Sequence, residues 1–191
     1  MTNFWWVRHG PTHATVMAGW SDIAADLSDT AALERLSDYL PTTALVVSSD
    51  LVRCTATADA IAGARQRLPA DPGLRELNFG DWEMRNWADI DAEDPEAIRA
   101  YWSNPGDSRP PNGESWNEAA ARVSAAADRL LAKHAGADLV VVAHFGAILT
   151  QLQRALQLPL AEVFSHKIGN LSVTRLSFDQ RWIAHEIDHN P

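Results

Sequence analysis

Two histidines in this sequence each stand within two residues of the end of a hydrophobic run and are each followed closely by glycine. In FWWVRHGPTH, Arg8 and His9 come after four apolar residues, and in LVVVAHFG, residues 139–146, His144 takes the same place. Neutral imidazole is a nucleophile near neutral pH, and arginine offers a planar fork of donors to phosphoryl oxygens. Repetition of one pattern on two strand-like runs is more informative than either copy alone.

A third hydrophobic run delivers a further arginine. In LVVSSDLVRCTATA, Arg53 stands in the first turn of a predicted helix, where the backbone amides already favour anions. Arg53 alone would be interpreted as a solvated surface residue. Two arginines and two histidines that converge at strand ends, however, describe a receptor for a phosphoryl group. One histidine can attack phosphorus while the other three side chains neutralise its oxygens, a design that needs no metal and no cofactor.

The elements that would position these residues alternate between strand and helix. The strand-like runs are residues 4–7, 44–48, 138–143, 171–178 and 182–187, the last two joined as a hairpin. The helical patterns are residues 31–40, 51–64, 114–133 and 145–158. This alternation predicts an α/β fold, a three-layer sandwich with a mostly parallel central sheet flanked by helices. Parallel strands would bring His9 and His144 to one edge of the sheet, facing each other if their strands are neighbours.

Residues 68–115 interrupt the alternation. The segment is rich in Pro, Asp, Asn, Gly and Trp, with helical character near residues 95–102. We interpret the chain as one domain, 1–191, with a lid-like insertion at about 68–115. Five tryptophans lie in or beside the loops that should cover the site: Trp20, Trp82, Trp87, Trp102 and Trp116. They could stack on a ring-bearing alcohol or serve only to pack the insertion, and both interpretations stay open.

Composition excludes several classes of protein. The net charge of −9 argues against nucleic acid as a partner, and the single cysteine, Cys54, leaves no disulfide framework or cysteine-based zinc site. No signal-type or membrane-spanning apolar run stands out, so we expect a cytoplasmic protein without a membrane partner. The expected partner is a small-molecule phosphomonoester, and a homodimer is left open.

Five motifs together resemble the histidine phosphatase superfamily, in its phosphoglycerate mutase-like family. They are RHGPT at 8–12, SSDLVRCTATADAI at 48–61, LRELNFGDWE at 74–83, NGES at 112–115 and VVAHFG at 141–146. They follow the family's order over nearly the full chain. Within the family, the loop NFGDWE and the motif NGES resemble the branch of α-ribazole phosphatases and broad-specificity phosphatases.

The resemblance implies a role for each matched residue. His9 would be the phosphorylated nucleophile, and Arg8, Arg53 and His144 would form the phosphate pocket, with His144 also in the catalytic set. Glu76 matches the proton donor, which fits the need to protonate a basic leaving alkoxide.

Four positions depart from the family's common pattern. Thr15 stands where asparagine often helps to bind phosphate, so we expect its hydroxyl to substitute with one donor fewer. Phe145 and Met84 replace glycines, and Trp20 stands where arginine is frequent. These changes leave the chemistry intact and put the identity of the substrate in doubt.

The expected function is therefore a metal-independent phosphomonoesterase that works through phosphohistidine. α-Ribazole phosphate or a sugar phosphate would be suitable substrates. Two alternatives stay open: a phosphoglycerate mutase, which retains the phosphoryl group and returns it to bound product, and a non-catalytic member that only binds phosphorylated ligands. The short insertion argues against the mutase. The non-catalytic alternative is disfavoured because all five key residues are present: Arg8, His9, Arg53, Glu76 and His144.

Overall fold

The computed structural model describes all 191 residues. It contains five strands and seven α-helices. In chain order these are β1 (Thr2–Arg8), α1 (Thr30–Tyr39), β2 (Leu45–Ser48), α2 (Val52–Ala62), α3 (Trp87–Glu93), α4 (Pro95–Ser103), α5 (Trp116–Lys133), β3 (Asp138–Ala143), α6 (Phe145–Leu156), α7 (Leu160–Val163), β4 (Val173–Asp179) and β5 (Arg181–His189). Two short 3₁₀ turns, Pro72–Leu74 and Gly80–Trp82, lie in the insertion.

The five strands form one sheet in the order β2-β3-β1-β4-β5. Strands β2, β3 and β1 are parallel, and the hairpin β4–β5 continues the sheet in antiparallel fashion. Strands β1 and β3 are direct neighbours, with Arg8 opposite Ala143 in the last rung of the ladder. This register places His9 level with His144, as the repeated sequence pattern predicted.

Alternating side chains along the strands divide the core into two layers. Phe4, Trp6 and Val141 pack with α5 and α6, whereas Val7 and Val142 point to the other face and pack with α1 and α2. Successive residues of a strand face opposite sides of a sheet, so continuous apolar runs are buried on both faces. The predicted three-layer arrangement is confirmed.

The insertion folds over a small core of its own. Trp82, Ile90, Ile98 and Tyr101 form this third cluster beside the sheet edge. The expectation of a helix near residues 95–102 is confirmed by α4. Helix α3 was not expected; it begins where the side chain of Asn86 accepts a hydrogen bond from a backbone amide in its first turn, which is a standard start signal.

The end of the insertion is fixed by the motif NGES. The Ser115 hydroxyl accepts from the Glu118 amide, and the Glu118 carboxylate accepts from the Ser115 amide, which together form a capping box at the start of α5. Just before it, Glu114 makes a two-pronged ion pair with Arg122 on the same helix. None of the helices combines the length and the apolar character needed to span a membrane.

Candidate active site

His9 and His144 lie next to each other at the carboxyl ends of β1 and β3. Their ring centroids are 5.2 Å apart, and the two residues are 7% and 0% exposed. The strand pairing therefore creates a buried pair of imidazoles, as the sequence predicted.

Hydrogen bonding fixes which nitrogen of His9 is available for chemistry. Nδ1 lies 2.7 Å from the carbonyl oxygen of Gly10. A carbonyl only accepts, so Nδ1 carries the proton and the neutral ring presents its lone pair at Nε2. Burial, aided by the positive charges of Arg53 and Arg8, lowers the pKa of His9 to about 3. His9 is consequently a neutral, nucleophilic imidazole at physiological pH.

Arg53 is the second residue of α2 and orients His144. Its Nε donates to His144 Nδ1 at 3.2 Å, and its two terminal nitrogens donate to the carbonyl oxygens of Gly19 at 2.6 Å and Ser21 at 2.8 Å. Because Nδ1 of His144 accepts, the proton of the neutral ring is on Nε2. Complete burial, followed by the charge of Arg53, lowers the pKa of His144 well below its usual value. His144 can therefore donate from Nε2 as a neutral ring.

Neutral burial of these histidines predicts a loss of stability in acid. The pKa of His9 lies below the value of about 6.5 in an unfolded chain. Between these values the unfolded state binds more protons, so stability falls as pH falls from about 6.5 towards 3. Between pH 6.5 and 5, the free energy of unfolding should fall less in His9→Asn than in the wild type. The two decreases should differ by at most about 2 kcal/mol.

Urea unfolding of both proteins across this pH range would measure the difference. Because both proteins contain the same carboxylates, the titration of these groups contributes equally to both pH profiles and drops out of their difference. Parallel pH profiles would contradict a neutral His9.

Arg8 lies at the end of β1 with part of its guanidinium free for a ligand. Nη1 donates to the carbonyl oxygen of Ile168 at 2.7 Å, while the buried Nε has no partner. The guanidinium carbon stands 5.4 Å from the ring centroid of Phe145. Burial lowers the pKa of Arg8, opposed first by the charge of Glu76, yet arginine remains cationic. Arg8 can thus add positive charge and donors beside His9.

Glu76 reaches the same edge of the sheet from the insertion. Its carboxylate accepts from the backbone amides of Gly146 at 3.0 Å and Ala147 at 3.2 Å, and from its neighbour Leu77 at 3.0 Å. The first two amides belong to the first turn of α6, which follows His144 directly. The amino-terminal end of a helix, which attracts anions, therefore holds this carboxylate on the amides that follow His144.

Gly146 permits this approach. A Cβ atom at that position would collide with Leu77 Cδ1 and would lie 2.5 Å from Glu76 Oε1, well inside contact distance. The glycine that follows His144 in the sequence is thus explained by the space that the side chains of Glu76 and Leu77 need.

Sequence reasoning missed the organising role of Glu83. Its carboxylate accepts from the backbone amides of Gly19, Trp20 and Ser21 at 2.7–3.1 Å, and from Phe79 at 3.1 Å. These bonds fix the loop whose carbonyl oxygens hold Arg53. Glu83 lies 62 to 64 residues from its three loop partners, so no local pattern could have indicated the contact.

Trp20, which replaces the family's frequent arginine, supports the backbone of Glu76. Its Nε1 donates to the Glu76 carbonyl oxygen at 2.8 Å. The guanidinium carbons of Arg75 and Arg122 lie 4.9 and 5.7 Å from its rings, and Arg122 also donates to the Glu76 carbonyl at 2.9 Å. The indole and the two cations therefore form one packed unit behind the carboxylate.

Two of the other three departures, Thr15 and Met84, lie on the surface. Thr15 is exposed on the loop after β1, and its hydroxyl makes no hydrogen bond to the phosphate-pocket residues. Its role in phosphate binding stays a prediction. Met84 is 52% exposed and has φ of 61°, the left-handed conformation that glycine adopts without strain. This backbone conformation explains why a glycine would suit the position.

Cys54 packs beneath the site. Its thiol lies 3.4 Å from His144 Nε2 and 3.5 Å from the carbonyl oxygen of Ala143, and burial raises its pKa. No group of three or more His, Cys, Asp or Glu side chains is arranged to hold a metal ion.

The parallel strands bring two neutral histidines and two arginines to one edge of the sheet, and the insertion adds a carboxylate. This set of side chains is suited to phosphoryl transfer. The family model of the histidine phosphatase superfamily (branch 1) matches residues 4–186. The chain belongs to this superfamily, and the family resemblance of its motifs is confirmed.

Known relatives include phosphatases and mutases. Over 172 residues the chain is 31% identical to the adenosylcobalamin/alpha-ribazole phosphatase of Salmonella typhimurium, covering 86% of this chain and 84% of that protein. It is 29% identical to a probable phosphoglycerate mutase of Proteus mirabilis, over 96% and 89% of the two chains. The solved structure of a mycobacterial glucosyl-3-phosphoglycerate phosphatase matches with a TM-score of 0.84 and 30% identity, covering 99% of both chains.

Proposed function

We propose that this protein is a metal-independent phosphatase that hydrolyses a small phosphomonoester through a phosphohistidine intermediate at His9. The observation that carries the proposal is the buried pair His9 and His144, flanked by Arg8 and Arg53, with Glu76 held beside them on the amides of α6. Membership of a phosphatase superfamily supports the reaction class. The activities for which two relatives are named make α-ribazole phosphate and phosphorylated sugars suitable first substrates to test.

In the first step, His9 Nε2 attacks phosphorus and the bond to the leaving oxygen breaks. Arg8 and Arg53 neutralise the charge that spreads over the remaining phosphoryl oxygens, and neutral His144 donates to one of them from Nε2. A protonated Glu76 gives its proton to the departing alkoxide. The products of this step are a free alcohol and phosphorylated His9.

In the second step, the same carboxyl group works in reverse. Ionised Glu76 accepts a proton from water, whose oxygen attacks phosphorus and displaces His9. Inorganic phosphate leaves, and both residues return to their starting protonation states. Two alternating proton transfers at one carboxyl group close the cycle without a metal ion.

A phosphoglycerate mutase is the second candidate, because one relative of 29% identity is named as a probable mutase. A mutase would use the same five side chains but would return the phosphoryl group to another hydroxyl of the bound product. The two candidates therefore differ in the acceptor of the second step, water or an alcohol.

A phosphate-release screen over many phosphomonoesters separates these candidates. The panel should contain sugar phosphates, nucleoside monophosphates, α-ribazole phosphate, aryl phosphates and both monophosphoglycerates. Release of inorganic phosphate that His9→Asn abolishes is the expected result. Interconversion of 2- and 3-phosphoglycerate without net phosphate release would instead establish the mutase.

We expect chelators to leave phosphate release unchanged. Arginine and histidine side chains here supply the positive charge and the donors that metal ions provide in other phosphoryl-transfer enzymes. The measurement is the initial rate before and after exhaustive treatment with EDTA and, separately, a zinc-selective chelator. Loss of activity that magnesium or zinc restores would refute a metal-independent mechanism.

The cytoplasmic location and the oligomeric state stay predictions. Gel filtration with light scattering, repeated over a range of protein concentrations, would settle whether the chain forms a homodimer.

A further inference from the structure

An aromatic cavity lies directly beside the Glu76 carboxylate. It is bounded by the insertion on one side and by the starts of α5 and α6 on the other, with Glu76 and Gly146 in its wall. Six aromatic side chains line it: Phe79, Tyr101, Trp102, Trp116, Phe145 and Phe164. Since Glu76 lines this cavity and is bound by the amides that follow His144 in the chain, the cavity is placed to receive the alcohol part of a bound ester.

Few polar groups are available to a ligand in this cavity. The side chain of Trp116 already donates its Nε1 to Gln153 at 2.8 Å, so it offers the cavity only its ring surface. Apart from Glu76, the polar side-chain groups of the lining are the hydroxyls of Tyr101 and Ser108 and the indole N–H of Trp102. A polyhydroxylated sugar would lose its bonds to water here and find few replacements, which disfavours binding.

Tyr101 is the most unusual member of the lining. The residue is 6% exposed, and its ring packs edge-on against Phe79, Trp82 and Trp102 at centroid distances of 5.2 to 6.4 Å. Its hydroxyl makes no hydrogen bond to another protein group, and its oxygen is not fully enclosed by the protein, so the hydroxyl is available to a ligand. Burial, with the charges of Glu76 and Glu114, raises its pKa, so the hydroxyl stays protonated and can donate.

Phe145 links the cavity to the phosphate pocket. It is the residue that replaces the glycine frequent in the family, and its ring lies near the guanidinium of Arg8 while lining the aromatic cavity. A group attached to a phosphoryl held by Arg8 would therefore pass along the ring of Phe145. A glycine at this position would leave the cavity without that wall.

We propose that the aromatic cavity selects phosphomonoesters whose alcohol carries a flat, largely apolar ring, and that the Tyr101 hydroxyl hydrogen-bonds an acceptor on that ring. The proposal rests on the phosphatase function proposed above. Ring burial and stacking supply affinity, and the Tyr101 hydroxyl supplies specificity for rings with an acceptor.

Three alkyl phosphates with similarly basic leaving groups test the proposal: 2-phenylethyl phosphate, 2-(4-pyridyl)ethyl phosphate and glycerol 1-phosphate. In the wild type we expect kcat/KM to be at least about tenfold higher for both ring esters than for the glycerol ester, from the burial of one ring. A preference for the glycerol ester would overturn the proposal. If the protein hydrolysed none of these three esters and no member of the broader screen, the proposed phosphatase function itself would be rejected.

Two variants assign the residues. Tyr101→Phe should lower kcat/KM for the pyridyl ester relative to the phenyl ester by about fivefold to tenfold, chiefly through KM. Phe145→Gly should reduce the preference for both ring esters over the glycerol ester by about tenfold. Tyr39→Phe is the matched control, because the Tyr39 hydroxyl bonds Glu186 on the far side of the sheet. An unchanged pyridyl-to-phenyl ratio in Tyr101→Phe would remove Tyr101 from the site.

A binding measurement gives a readout without turnover. Calorimetric titration of His9→Ala with 3-phenylpropylphosphonate and with propylphosphonate compares a ring with a short chain on the same anion. Tighter binding of the phenyl compound, reduced by Phe145→Gly in the same background, is expected. Equal affinities would contradict a ring-selective cavity even if every variant were inactive.

Discussion

His9→Ala is expected to lower phosphate release by several orders of magnitude while leaving the fold intact. Covalent catalysis by an essential nucleophile is not replaced by the remaining side chains, which can bind a phosphoryl group but cannot form the intermediate. The fold should tolerate the change, because His9 lies after the last rung of β1 and its ring is a desolvated polar group in a largely buried position. Phosphate release and thermal unfolding should be measured on the same preparations.

His13→Ala provides the matched control for this experiment. His13 lies four residues further along the same loop, exposed, with Nε2 2.8 Å from an Asp26 carboxylate oxygen. Its loss should leave the rate within a few-fold of the wild type. Residual activity of His9→Ala within about tenfold of the wild type would exclude His9 as the nucleophile. Trapping of ³²P on the wild type and not on the variant would add direct support.

The part of the site that belongs to the sheet could be predicted from the sequence. Short apolar runs predict buried strands, and the carboxyl ends of parallel strands lie at one edge of a sheet. The sequence could therefore place His9 and His144 close together. Arg53 followed from the helix that begins after the second strand. In each case the relevant signal lies within about ten residues of the functional side chain.

The rest of the site depends on contacts that leave no local pattern. Glu83 satisfies amides in the loop after β1, and Trp20 from that loop supports the backbone of Glu76. Hydrogen bonds between a side chain and distant backbone groups impose no periodicity and require no particular residue at the position that supplies the backbone group. For the same reason, the sequence indicated Glu76 as an acid only by family resemblance and could not place it on the amides of α6.

The position of Glu76 allows proton donation to be separated from simple binding. If Glu76 is the general acid, Glu76→Gln should slow phosphorylation of His9 by an alkyl phosphate about 10²-fold or more. The same change should have much less effect with p-nitrophenyl phosphate, whose leaving group needs little protonation. Single-turnover formation of phosphohistidine is the appropriate measurement, because hydrolysis of the intermediate also uses Glu76 in the proposed cycle.

Gly146→Ala supplies a second way to disturb the same carboxylate without changing its chemistry. The added Cβ would collide with both Glu76 Oε1 and Leu77 Cδ1, so the carboxylate should be displaced from the amides of α6 together with a shift of the Leu77 side chain. If the position of the acid matters, this variant should also lose more rate with the alkyl ester than with the aryl ester.

Equal losses on both esters in Glu76→Gln would instead indicate a binding or structural role for Glu76. The acid would then be sought in Asp81, which is exposed on the insertion and bonded to Asn112, before Glu83, whose oxygens are already engaged by several amides.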